Sequence, residues 1–434
     1  MTKREAGFCT IPEALAELRA GRMIVLMDDE DRENEGDLVV AAEKATPESI
    51  NFMMRHGCGL VCLAMSAAIC DRLGLEVLQG NNTDPRSTPF TPSIDARKSV
   101  TTGTSAFDRA RTVQVAIADD STASDLRIGK GHVPGLRASK GGVLTRAGHT
   151  EGGTDLARLA GLKAAAVICE IVNEDGTMAR LPELRTFSSK YGLKMCTIAQ
   201  VTKYRCQHET LIQRELQLSM PTTYGDFHLI AYSSMLDAEP HLALCVGGLG
   251  LQVANRIPLQ TDPVLVRIHS ECLTGDIFKS RLCDCGFQFR VAMSRIQEAG
   301  KGVLLYMRQE GRGIGLLPKL KAYQLQQREG LDTVDANHRL GFQPDLRHYA
   351  LSAQILADLG LRKIRLLTNN PEKIADLAEH GLEVIERLPL QIRANDTNRR
   401  YLKAKKEKLG HLLVDCELDC LTGKDQRLVT TFVR

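Results

Sequence analysis

The sequence predicts an α/β (α+β) protein: two unrelated mixed-sheet catalytic domains in tandem. Three observations lead there. Short apolar runs of strand length alternate with helical patterns from end to end, as mixed α/β layering requires. The 434 residues exceed what one core holds, since single cores stop growing near about 250–300 residues. Each half carries its own polar cluster, and no internal repeat relates the two. The expected domains are 1–205 and 206–434.

The N-terminal stretch MTKREAGFCTIPEALAELRAG has no apolar signal segment and runs directly into an amphipathic helix pattern. Buried strands are expected at Met23–Met27, Gly59–Met65, Ala164–Ile171, Val264–Ile268, Val303–Met307 and Ile364–Leu367. Thr46-Pro47-Glu48 supplies an N-cap, a proline at the first helical position and an early carboxylate. Asn370-Pro371-Glu372 repeats that arrangement, with Gly381 as the stop. Between the halves, Gln200 to Leu218 reads as a charged helix ending at Pro221.

Composition narrows the function. A net charge of +3 is too small and dispersed for a nucleic-acid or anionic-membrane partner. Aromatic content of 4% with no Trp also argues against base stacking. No apolar run approaches the about 18–20 residues of a membrane span. Thirteen cysteines without a secretion signal predict reduced thiols and a cytoplasmic protein.

In the first half, Asp28-Asp29-Glu30-Asp31-Arg32-Glu33-Asn34-Glu35-Gly36-Asp37 packs seven acidic side chains around one arginine. A solvated loop would explain it; so would a hard cation on oxygen ligands, such as Mg²⁺. Arg146-Ala147-Gly148-His149-Thr150-Glu151 adds an imidazole, a hydroxyl and a phosphate-competent arginine, and His132 lies in a second glycine-containing loop. Glu170 ends a strongly apolar strand, where a carboxylate can serve as a general base.

In the second half, Cys272, Cys283 and Cys285 follow the spacing C-x10-C-x-C after a strand. Three soft ligands without a fourth suit zinc with an open position; ordinary reduced cysteines are the alternative. The strand Val303–Met307 then runs into Arg308-Gln309-Glu310-Gly311-Arg312-Gly313-Ile314-Gly315, a glycine-rich turn with two arginines suited to phosphate oxygens. Asp345-Leu346-Arg347 and the helix start Thr368-Asn369-Asn370-Pro371-Glu372-Lys373 complete the set, the latter favouring anions.

RIHSECLTGD, CDCGFQ, RQEGRGIGLL, DANHRLGFQPDLR and LLTNNPEK, in this order, resemble GTP cyclohydrolase II from about Val246 to about Leu413. The resemblance implies hydrolysis of GTP to 2,5-diamino-6-ribosylamino-pyrimidinone 5'-phosphate, formate and pyrophosphate. Cys272, Cys283 and Cys285 would hold Zn²⁺, which activates water toward the imidazole carbon. Arg267, Ile268, His269, Ser270, Glu271, Gln288, Glu310, Gly311, Arg312, Thr333, Thr368 and Lys373 would contact GTP. Asp345 would accept a proton, Arg347 would act at the α-phosphate, and Tyr323 would serve the ring chemistry.

DEDRENEGD, TTGTSAFDRA, GGVLTRAGHTE and VICEIVNEDGTMAR resemble 3,4-dihydroxy-2-butanone-4-phosphate synthase over about residues 8–205. That family forms its four-carbon phosphate and formate from ribulose 5-phosphate. Glu33 and His149 would bind Mg²⁺ or Mn²⁺. Arg32, Glu33, Asp37 and Arg146, Ala147, Gly148, His149 and Thr150 would contact substrate, while His132 and Glu170 would transfer protons. Together the halves resemble the bifunctional riboflavin-biosynthesis enzymes, which implies a homodimer.

Three departures from the family patterns bear on structure. Arg281-Leu282 exchanges the usual order before the second cysteine, which turns the guanidinium to the opposite face of an extended loop. Pro134 is displaced relative to the usual loop around His132, and Pro92 removes a ladder donor from a strand. Alternatives are a GTP cyclohydrolase II with a silent first domain and, more remotely, a structural-zinc nucleic-acid-binding protein. The C-x3-C pair Cys416 and Cys420 reads as two free thiols.

Overall fold

The computed structural model describes residues 7–78, 88–254, 256–342, 349–391, 394 and 396–413. The chain divides into two compact units, Met1–His208 and Glu209–Arg434. Asp345 and Arg347 lie outside the described residues, as do Cys416 and Cys420.

The first unit is built on eight strands: β1 (Ile24–Met27), β2 (Gly36–Ala41), β3 (Cys62–Met65), β4 (Phe90–Ala96), β5 (Leu126–Ile128), β6 (Val133–Arg137), β7 (Ala165–Glu170) and β8 (Lys194–Thr197). Their order in the sheet is β5-β4-β6-β3-β7-β2-β1-β8. β1, β2 and β3 are buried along their whole length; β1 and β3 are continuous apolar runs, and β2 is apolar after the buried Asp37. Apolar side chains cover both sheet faces: Leu38, Leu63 and Val167 belong to one core, Leu26, Val39 and Ala166 to the other. Thr46 caps its helix through a capping box, with Pro47 in the first turn.

The two displaced prolines meet. In the antiparallel β4–β6 pair Thr91 opposes Gly135 and Ile94 opposes Val133, with a register shift between. Pro92 and Ser93 therefore stand opposite Pro134 alone, which is a β-bulge. The bulge accommodates two residues that cannot donate to a ladder. Immediately beyond it, Asp95 on β4 grips the loop entering β6 by accepting the His132 backbone N–H at 2.9 Å.

The second unit carries seven strands: β9 (Ile212–Thr222), β10 (Gly225–Ser234), β11 (His241–Val246), β12 (Val264–Ser270), β13 (Gly302–Met307), β14 (Lys363–Leu367) and β15 (Glu383–Leu388). Their order is β15-β14-β12-β13-β11-β10-β9. β9, β10 and β11 form an antiparallel meander that joins β13. β13, β12, β14 and β15 are mutually parallel. The helix expected over Gln200 to Leu218 stops at His208, and Ile212–Thr222 is the edge strand β9 instead. Among the described residues only one side of β9 pairs, so charged residues and Pro221 are tolerated there, and the cross-strand partner β10 overrides local helix propensity.

Asn370 caps the helix Pro371–Glu379, and Gly381 follows in the left-handed region. Arg281 and Leu282 lie in a turn, not an extended loop, with Arg281 exposed.

Gly131 and Gly129 flank the bulge for different reasons. A Cβ on Gly131 would stand 2.0 Å from the Ile94 carbonyl carbon, whereas Gly129 faces open space but has φ +84°. Gly129→Ala is expected to cost about 1–2 kcal/mol of backbone strain. Gly131→Ala must displace backbone and is expected to cost about 3 kcal/mol, the upper end for overpacking. Urea midpoints of the two variants check this ordering.

Candidate active sites

In the first unit the acidic loop between β1 and β2 folds around Asp28. Its buried carboxylate accepts the backbone N–H groups of Glu33 (3.1 Å) and Glu35 (2.8 Å) and the Arg32 guanidinium (2.8 Å). Arg32 also reaches Glu33 at 2.7 Å. Asp28, Glu33 and His149 offer ligand atoms within 4.8 Å of one another. Asp28 was not singled out from the sequence. With both its oxygens holding the loop, it orients Glu33, leaving Glu33 and His149 to face a cation.

The electrostatics show that the cluster needs positive charge. His149, 3.7 Å from Glu33, holds that carboxyl down at about 2, with Arg32 assisting. Burial pushes Asp37 up to about 7. Burial also opposes protonation of His149, but Asp37 and Glu33 outweigh it and raise the imidazole to about 9. His149 Nε2 and Asp37 Oδ1 are buried, 3.9 Å apart and without hydrogen-bond partners. Oxygen and imidazole donors around unsatisfied polar atoms fit a divalent cation with its substrate.

Asp37 and Glu170 are cross-strand partners on β2 and β7, so both project from the same face. Glu170 accepts the Leu60 N–H at 2.8 Å. A Cβ on Gly59 would stand 2.6 Å from the Glu170 carboxylate, so glycine allows the close approach. His149 and Thr150 open the helix His149–Leu159 behind Gly148, a natural anion site. Arg146 is held there by Glu151 at 2.7 Å, beside Ala147. The β3–β6 register continued back from Leu63 and Gly135 brings His132 level with Leu60, at the Glu170 end of the sheet. His132 Nδ1 lies 2.8 Å from Asp95 Oδ2, a second carboxylate that the motifs did not flag.

In the second unit the motifs converge at the carboxyl ends of three adjacent parallel strands. β12 delivers Ser270 and Glu271, β13 the glycine-rich turn, and β14 Thr368 to Lys373. This is where parallel sheets bind ligands. The ends line a cleft of about 990 Å³, counting the open solvent at its mouth. Arg267, His269, Ser270, Glu271, Cys272, Cys283, Cys285, Gln288, Glu310, Gly311, Arg312, Tyr323, Thr333, Thr368 and Lys373 all face it. Ile268 does not: its side chain is in the core, and its carbonyl accepts the Lys373 ammonium at 2.9 Å. Arg308, expected to share phosphate binding, is instead turned to Glu271 at 2.8 Å.

Cys272 and Cys283 Sγ atoms lie 3.7 Å apart, and all three thiols fall within 4.8 Å. Zn–S bonds of about 2.3 Å in a tetrahedron separate sulfurs by about 3.8 Å, so the donor set fits zinc. A Cβ on Gly275 would stand 3.0 Å from two of the sulfurs, so only glycine leaves room. Hydrogen bonds from Cys283 and Cys285, with Lys319 behind them, hold Cys272 far below the usual thiol range. Lys319, also missed from the sequence, donates to Cys272 Sγ at 3.0 Å and to Glu310 at 2.8 Å. Glu310 further accepts the Leu273 N–H (2.7 Å) and the Gly311 N–H (2.9 Å). Gly311 and Arg312 both adopt φ 63°, costly for arginine and concentrated where function resides.

The comparisons agree with two catalytic α/β domains. Residues 12–204 match the 3,4-dihydroxy-2-butanone 4-phosphate synthase family, and residues 213–389 match GTP cyclohydrolase II. The chain belongs to the bifunctional riboflavin-biosynthesis enzymes that join these two domains. It is 53% identical to riboflavin biosynthesis protein RibBA of Bacillus cereus (strain G9842), covering 94% of this chain and 99% of that protein. It is 52% identical to the RibBA of Bacillus velezensis over the same shares. Among solved structures, RibBX, a two-domain 3,4-dihydroxy-2-butanone 4-phosphate synthase from A. baumannii, superposes with a TM-score of 0.67. That pair is 36% identical, covering 88% of this chain and all of the other. No described helix is long and apolar enough to cross a membrane.

Glu310 and Lys319 are both about nine-tenths buried. Glu310→Ala is expected to cost about 3 kcal/mol, because it removes one of the two partners of a buried ammonium and leaves the Leu273 and Gly311 N–H groups without theirs. Glu310→Gln, whose single amide oxygen keeps one of the two backbone contacts, is expected to cost less. Urea unfolding followed by a second-unit probe compares them.

Proposed function

We propose that the second domain hydrolyses GTP to 2,5-diamino-6-ribosylamino-pyrimidinone 5'-phosphate, formate and pyrophosphate, with zinc on Cys272, Cys283 and Cys285. The observation that carries this reading is a sulfur separation of 3.7 Å at the wall of a cleft lined by the phosphate-binding turn. When bound, zinc supplies a Lewis acid that makes water nucleophilic near neutral pH. The chain's residues do the rest. Arg312 and Lys373 meet the phosphates, the second at a helix N-terminus. Gln288 donates its amide to Asp284 and accepts from Arg267, which fixes the floor of the pocket. Tyr323, held protonated by burial, is a proton donor to the opening ring. The roles of Asp345 and Arg347 rest on the resemblance.

The first domain is assigned the conversion of ribulose 5-phosphate to 3,4-dihydroxy-2-butanone 4-phosphate and formate, with Mg²⁺ or Mn²⁺ on Glu33 and His149. A divalent cation there supplies charge that stabilises an enediolate. Arg32, Asp37 and the Arg146–Thr150 turn bind substrate, while His132 and Glu170 move protons. Asp95 fixes the His132 ring and backbone from two sides, so the contact supports an active first domain over a silent one. The protein is assigned to the cytoplasm as a homodimer.

Two substitutions in the full chain test the division of labour. Cys283→Ser should remove zinc and abolish formate release from GTP while ribulose 5-phosphate turnover persists. His132→Ala should do the reverse, leaving zinc content and GTP turnover intact. If both variants lost both activities, or neither, the assignment would fail.

A further inference from the structure

Beyond residue 389, where the match to the cyclohydrolase family ends, the chain forms the helix Arg399–Glu407. Its outer face is charged, but Leu402, Ala404 and Lys405 are buried. Tyr401 and Lys405 face the same cleft as the three cysteines.

Lys405 donates to Asp284 Oδ1 at 2.8 Å, with side-chain exposures of 9% and 2%. Asp284 stands between two of the thiols. Its other oxygen accepts from Gln288 at 2.7 Å, and Gln288 accepts from Arg267 at 2.7 Å. One buried chain of charge-assisted hydrogen bonds therefore runs from the C-terminal helix, through the thiol turn, to two candidate GTP contacts. The Tyr401 ring is within reach of two cations: Lys405 Nζ is 4.7 Å from its centroid and the Arg312 guanidinium 5.9 Å. Beyond the helix, Lys408 bridges Asp332 (2.6 Å) and Asp335 (2.7 Å) at the start of the helix bearing Thr333. The Leu412 N–H then bonds the Asn369 carbonyl at 2.8 Å. The exposed Lys408 pairs add little energy. They do fix where the segment runs.

We propose that the Arg399–Glu407 helix is a working wall of the nucleotide site, in which Lys405, acting through Asp284, positions the thiol turn and the Gln288–Arg267 pair, and Tyr401 orients Arg312 toward the phosphates. Lys405 is a positioning residue, since it acts through Asp284. The proposal rests on the GTP and zinc reading of this site.

A purely structural role would make Lys405 necessary only because Asp284 is charged. The full chain carrying Asp284→Asn together with Lys405→Met has no uncompensated charge and tests this directly. The helix wall predicts that this double variant, its melt unchanged, still loses zinc to a chelator about 10–100-fold faster and shows a raised KM for GTP, as supporting contacts of metal ligands do. Lys405→Arg, which keeps the charge, should recover most of both. Tyr401→Leu should raise KM for GTP without changing zinc retention. Wild-type zinc retention and KM in the double variant would overturn the proposal. If the unaltered chain failed to turn over GTP, the zinc-release arm would still decide the role of Lys405 while the GTP reading alone would fall.

Discussion

Both halves of this protein crowd ionisable groups together at the ends of strands, and that constraint organises what surrounds them. Three thiols lie within 4.8 Å in one unit, and Asp28 and Glu33 crowd one imidazole in the other. Neither arrangement is stable in isolation, because buried charge is tolerated only when paired or neutralised. Each site therefore carries a resident cation among its own side chains. Lys319 and Lys405 flank the thiols, and Arg32 flanks the carboxylates. A metal held at either cluster would complete a charge balance that the protein has already begun, displacing the proton from the His149 imidazole in the first unit.

The two units meet the constraint differently because their candidate ligands differ. Thiolates need a rigid pocket at about 2.3 Å, and here glycine at 275 and the start of the helix Cys285–Glu298 bring the sulfurs together. Carboxylates and an imidazole around a hard cation tolerate looser geometry. The acidic loop is accordingly shaped by backbone contacts to Asp28, with Asn34 in the left-handed region. Proton-transfer candidates are placed by strand register: Glu170 beside Asp37, and His132 by the grip of Asp95.

The prolines at 92 and 134 show how a local departure is absorbed. Each alone would weaken a ladder; facing one another across a bulge, they remove donors where none is used. The compensation is visible only as a pair, because the residues are 42 apart in sequence and adjacent only through β4–β6 pairing.

Much of the site was legible in the sequence, since ligand identity and strand–turn punctuation are local. The alternation of apolar runs located the core strands within a few residues, and the helix starts at Thr46 and Asn370 carried their caps in plain view. The segment after His208 reads as helix by its charged residues, yet Ile212, Leu216, Leu218 and Met220 alternate with Gln213, Glu215, Gln217 and Ser219 at the strand period, and its partner β10 decides its conformation. Asp95, Lys319, Tyr401 and Lys405 escaped notice because nothing near them in sequence distinguishes them from surface residues. Residue type and spacing determined which chemistry this chain can perform. Tertiary structure alone decided how the motifs meet, because β14, β12 and β13 are neighbours in space though not in sequence, and their parallel ends place Thr368, Cys272 and Glu310 around one cleft.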